Sequence, residues 1–262
     1  IDLLAHMPLS EFSTKPNAAN DIWGHVDLND GSEYALIGIR DGVAIVNVSV
    51  PENPVEVGTI AGLSSAWRDV KVYQYFDVQQ HRWMAYAYST TEASDNVTII
   101  DLTNLPNSVS LVEKNTAVST AHNVYITNVD HSLNIALKNQ TPSLQLVGAN
   151  TRGGVFQSYS LENPATLTPL TNKYYGNGYT HDGASITIKD ERAMQYCQSS
   201  VCTIFLDFNE KELKLWNVTN PEDSLALGIA EYTDVPNAQQ YVHSVWATED
   251  QKYVLIHDEF DE

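Results

Sequence analysis

The chain is 262 residues long and 43% hydrophobic, enough for one large folded domain or two ordinary ones with a sizeable core. Its 14 Lys and Arg face 33 Asp and Glu, a formal charge of −19 that repels nucleic-acid phosphate and anionic lipid; cations, neutral molecules and basic proteins suit it better, and acidity also serves plain solubility. No apolar run approaches the ~18 residues of a membrane span and no signal sequence opens the chain, so it reads as soluble or as a mature form.

In chain order, "IDLLAHMPL" (1–9) reads as a lone outermost strand, and "NDIWGHVDLNDGSEYALIGI" (20–39) as a pair of strands. A hairpin follows in "GVAIVNVSVPENPVEVGTI" (42–60), and its pattern returns in "NVTIIDLTNLPNSVSLVEK" (96–114), "GVFQSYSLENPATLTPLTN" (154–172) and "ELKLWNVTNPEDSLALGIA" (212–230). Each is an alternating strand, a polar turn with Asn and Pro, and a second strand. Between them recur "RDVKVYQ" (68–74), "HNVYITN" (122–128), "HDGASIT" (181–187) and "HSVWATE" (243–249), followed by apolar strands such as "LNIALKN" and "KYVLIHD".

A unit of four antiparallel strands repeating every 50 to 60 residues, with no sustained helical periodicity, predicts an all-β chain. The expected architecture is a single β-propeller over 1–262, with blades at 20–61, 68–114, 121–172 and 181–231 and a partial fifth at 243–262. A β-sandwich is the alternative, though sandwiches lack so long a repeat. The two loose ends predict a longer protein of about six or seven blades, with strand 1–9 closing the ring. Cys197 and Cys202 would close a small loop by a disulfide in an oxidising compartment, or stand as free thiols.

The segments "NDIWG", "WRDVKVY", "AHNVYI", "GYTHDGASI" and "TEDQKYVLIHDEFDE" together resemble the choice-of-anchor B family of bacterial surface proteins, which carry LVIVD-type repeats. The resemblance covers nearly the whole chain and departs from the repeat consensus at "FQSYSLE". It implies a secreted or cell-surface β-propeller and no particular reaction or catalytic residue.

Aligning the first strand of each unit gives one column of Asn20, Arg68, His122, His181 and His243, and a next column of Asp21, Asp69, Asn123, Asp182 and Ser244. In a propeller these positions line the central channel as a polar ring. The ring has three readings: side chains bonded to one another and to strand ends, a divalent metal such as zinc on His122, His181 and His243, or a channel-mouth ligand held by Arg68, Asp69, Asn123, Asp182 and Asp21. Arg68 argues against a symmetric metal cage and suits an anionic ligand or a salt bridge to Asp21, Asp69 or Asp182.

His81 and His131 lie in turns and read as solvated, while His25 is on the first inner strand in a different register. The acidic "HDEFDE" (257–262) offers oxygen ligands for calcium but lacks EF-hand spacing, and a solvated loop explains it as well. The N-x-S/T triplets at Asn47, Asn96, Asn139 and Asn217 would be glycosylation acceptors in a eukaryotic secretory pathway, though the equivalent strand positions of Asn47 and Asn217 are explained by repeat ancestry and turn chemistry without glycans. Nucleophile-elbow, P-loop, dinucleotide and haem motifs do not occur. The leading expectation is therefore an extracellular or cell-surface module binding a protein, a glycan or a surface component, with a metal-dependent hydrolase or lyase on the histidine ring as the rival.

Overall fold

A computed structural model describes residues 1–170, 178–231 and 241–260. The chain is all-β, built of antiparallel sheets, most of them four-stranded. It divides into two compact units, one of residues 1–122, 129–140 and 162–167, the other of 123–128, 141–161 and 168–262.

The first unit holds two meanders. One runs β1 (Ala19–Val26), β2 (Glu33–Ile39), β3 (Gly42–Asn47) and β4 (Val55–Ala61); the other runs β5 (Arg68–Asp77), β6 (Arg82–Thr91), β7 (Val97–Asp101) and β8 (Ser110–Asn115). Apolar alternation decides the faces. Leu36, Ile45, Val70, Val72, Ala87 and Ile100 meet in one core, while the outer strands β4 and β8 remain largely exposed. Residues 1–8 form no strand, against the expectation for 1–9, and the first element is a 3-10 turn at Leu9–Glu11. Phe12, just beyond that turn, is buried with Ile39, Ala44 and Val46.

After β9 (Asn123–Thr127), which belongs to the second unit, the chain returns to the first with β10 (Val129–Asp130) and β11 (Ile135–Ala136). The "LNIALKN" stretch was expected as the second strand of the third sheet. It instead reaches back: Ile135 pairs in parallel with Gln74 on β5, and the Asn134 side chain accepts from Trp23 Nε1 (2.9 Å) and donates to the Gly24 carbonyl (2.9 Å). Those bonds satisfy groups on β1 and β5 that a strand in the third sheet would leave open.

In the second unit the third sheet consists of β9, β12 (Ser143–Val147), β13 (Gln157–Ser160) and the two-residue β14 (Thr168–Pro169). The fourth runs β15 (Asp182–Ile188), β16 (Cys202–Phe208), β17 (Glu212–Asn217) and β18 (Leu225–Glu231). A short helix absent from the sequence reading, α1 (Glu191–Cys197), joins β15 to β16; Asp190 caps it by accepting from Arg192 N, and a disulfide ties Cys197 to Cys202 at its end. A two-stranded sheet of β19 (Val242–Ala247) and β20 (Val254–Asp258) follows. Val147, Phe156, Phe205, Leu206 and Trp216 form the core. Gly183 is required there, because a Cβ at that position would sit 2.3 Å from the Phe205 ring.

Three of the sheets repeat one detail. The pairing of third with fourth strand shifts register at Ile45/Val46, Ile99/Ile100 and Leu215/Trp216. The next side chain, Asn47, Asp101 or Asn217, then accepts from the amide two residues on (2.9, 2.8 and 3.0 Å). This Asx turn is the structural use of the triplets at Asn47 and Asn217.

Candidate functional site

The aligned columns fall at the same end of each sheet's first strand, and there they perform one repeated task. In the first unit Asn20 Oδ1 accepts from Arg68 N (3.3 Å), Asp21 Oδ2 accepts from Val70 N (3.2 Å), and Trp67 Nε1 donates to the His122 carbonyl (2.7 Å). In the second, Asn123 Nδ2 donates to the His181 carbonyl (3.2 Å) and His181 Nδ1 lies 3.1 Å from the His243 carbonyl. A side chain at or beside one first strand thus ties down backbone at the next.

Arg68 is a buried cation. Its side chain is 2% exposed, Nε donates to the Ile39 carbonyl (2.9 Å) and a terminal nitrogen donates to the Leu63 carbonyl. Asp95 and Asp41 supply compensating charge against the burial that pushes the guanidinium below its ordinary value. Gly62 makes room for this, since a Cβ there would stand 2.7 Å from Asp95 and 2.8 Å from the guanidinium.

The next column is richer. Asp69 is buried and accepts from Lys71 Nζ and from its neighbour Val70 N (2.7 Å). Lys71 Nζ also donates to the Val70 carbonyl (3.1 Å), stands 3.7 Å from Asp21 Oδ2 and lies 4.5 Å above the Trp23 ring, a cation–π contact. His131 packs edge-on against Trp23 at 5.6 Å, so it is a packed residue rather than the solvated turn expected. Burial, a hydrogen bond that the protonated acid donates to Asp69, and the negative charge of Asp69 raise Asp21 to about 7, opposed by Lys71 and the Val70 amide. Burial, with Lys71 close by, lowers His131 to about 4. The group can hold or release one proton near neutrality beside a fixed ammonium.

His122 lies flat on Trp67, ring centroids 4.5 Å apart and planes 3° from parallel, with Nδ1 2.8 Å from Glu92 Oε1. His181 and His243 sit with centroids 4.6 Å apart, and the Tyr241 ring meets His181 edge-on at 5.3 Å. Asp182 Oδ1 accepts from the adjacent Gly183 amide (2.7 Å). Among the described residues no three His, Cys, Asp or Glu side chains come together as a metal-holding group. The His122 ring is engaged with Trp67 and Glu92, and His181 Nδ1 with the His243 carbonyl. The acidic 257–262 stretch shows the same: Asp258 is spent accepting from Tyr241 N (3.2 Å) and Phe260 N (2.9 Å), and Asp261 and Glu262 lie outside the described residues.

His25 is 2% exposed and stacked on Tyr34 (6.1 Å). Neither of its ring nitrogens has a hydrogen-bond partner among the described residues, and burial lowers it to about 4. Sequence reading missed Trp23, Lys71 and His131. The first two were within reach, because Asp21 and Trp23, like Asp69 and Lys71, are two apart on a strand and share a face.

Among the described residues no helix is long and apolar enough to cross a membrane. Compared with known proteins, the chain matches no family model and no curated sequence.

Proposed function

We propose that the sheets are blades of a β-propeller related to the choice-of-anchor B proteins, and that the protein is a secreted or cell-surface module binding an extracellular protein, glycan or surface component. The observation that carries this reading is the repeated bond from one first strand to the backbone of the next: Asn20 to Arg68, Asn123 to His181, His181 to His243. Such bonds are what blades packed around an axis need, and they employ the column residues in building the scaffold. The repeated register shift and Asx turn of three sheets support the same reading. The Cys197–Cys202 disulfide fits an oxidising compartment.

Binding then falls to the connections between strands. The β5–β6 hairpin presents Phe76 and Val78, 45% and 71% exposed, with Trp83 edge-on to Phe76 at 5.7 Å. Asn29 fixes that tip by bonding both the amide and the carbonyl of Trp83 (2.8 and 3.0 Å). A rigid aromatic tip is a contact surface with little entropy left to lose. The test is binding of the labelled chain to intact cells, matrix proteins and a glycan array. Saturable binding that falls at least tenfold in a Phe76→Ser, Val78→Ser variant is expected; absence of saturable binding on every surface overturns the reading.

A further inference from the structure

One cluster adds side-chain contacts to the repeated backbone bonding. Strands β19 and β20 pair Val242 with Asp258 and then Ser244 with His257, so His243 is the extra residue of a β-bulge. A bulge re-aims side chains that regular alternation would send to opposite faces. Here it brings two neighbours onto one partner: His243 Nδ1 and Ser244 Oγ each lie 3.3 Å from His257 Nδ1.

We propose that His243 and His257 form a two-histidine binding site for a borderline divalent metal ion such as Zn²⁺, with Ser244 Oγ beside the open positions. Two tetrahedral ligands at about 2.0–2.1 Å from zinc stand roughly 3.3–3.4 Å apart, so the Nδ1 to Nδ1 separation is already that of two donors sharing one ion. The rings are nearly perpendicular, 83° between planes, and approach edge-wise instead of stacking. Glu259 Oε2 lies 3.9 Å from His243 Nε2, on the far side of that ring. The chain's charge of −19 raises the local concentration of cations. This set differs from the expected ring in replacing His122 and His181 by His257, and it stands whether or not the protein is a surface-binding propeller.

The experiment is titration of the chelator-stripped 262-residue chain with zinc chloride by calorimetry at pH 7.5, on wild type and on His243→Ala, His257→Ala and His122→Ala variants, each checked for folding by circular dichroism. One equivalent bound by wild type and by His122→Ala, with affinity at least tenfold weaker in both other variants, is expected. Failure of wild type to bind zinc, or stoichiometric binding unchanged in His257→Ala, overturns the proposal. His257→Asn provides the second variant if the alanine form is misfolded, with the same loss expected.

Discussion

The first-strand ends of the two units use the same repeat position in opposite ways. In the first unit the column carries fixed charge, with Arg68 and Asp69 buried and bonded to backbone or to Lys71. In the second it carries imidazoles and a phenol, with His181, His243 and Tyr241 in ring contact. Both ends tie neighbouring strands together, yet the energetic consequences differ. A buried charge cannot lose its partners cheaply, whereas a neutral ring that donates one hydrogen bond can be replaced at modest cost.

The largest expected effect follows from that contrast. Arg68→Met would strand the Ile39 and Leu63 carbonyls, remove the cation that Asp41 faces and leave Asp95 with Lys114 alone. A loss of about 3–5 kcal/mol is expected. Asn123→Ala, which removes one side-chain bond to the His181 carbonyl, should cost about 1 kcal/mol. Urea unfolding of both variants measures the difference, and equal losses would erase the distinction between the two ends.

Much of this was legible in the sequence, for reasons that name its limits. The hairpins at Gly42–Asn47 with Val55–Ala61 and at Glu212–Asn217 with Leu225–Glu231 announce themselves by period-two alternation and an Asn turn, both local properties. "LNIALKN" alternates as well, and only the long-range pairing of Ile135 with Gln74 decides its place; "SLQLV" takes the vacated strand position. Helix α1 is seven residues, two turns, too few for a period to show. The site divides in the same way. The column positions follow from alignment, but Arg68's turn toward Ile39 and His131's seat on Trp23 depend on neighbours distant in the chain.

A second prediction sharpens the contrast between fixed and titratable groups. His25 is neutral when folded, its value lowered to about 4 by burial, with Asp27 pulling weakly the other way. The unfolded chain takes up this proton near pH 6.5 and the folded one only near 4, so stability present above 6.5 is lost as pH falls through that window. His25→Phe keeps the ring against Tyr34 and removes the proton site. At pH 7 the variant should match wild type within about 1 kcal/mol; at pH 4.5 it should be more stable by about 2 kcal/mol. Denaturation at the two pH values reads this directly, and a pH-independent difference would mean that His25 protonates in the folded state.

The smallest effect has the opposite sign and belongs to the Asp21 proton. Asp21 is raised to about 7 when folded, with Asp69, Lys71 and His131 the ionisable groups around it. An unfolded aspartate releases its proton near 3.9, so between about pH 4 and 7 the folded chain holds a proton that the unfolded chain has lost. The stability from that proton is fully present below pH 4 and disappears as pH rises through 7. Asp21→Asn imitates the protonated acid at every pH. Relative to wild type it should therefore gain as pH rises from 4 to 7, by about 1 kcal/mol, because the Asp21 side chain is one-third exposed and water screens the pair. The gain should also shrink in an Asp69→Asn background, since burial then remains as the main cause that raises Asp21. A gain of undiminished size there would assign the raised value to burial alone and dissolve the carboxylate pair as a unit.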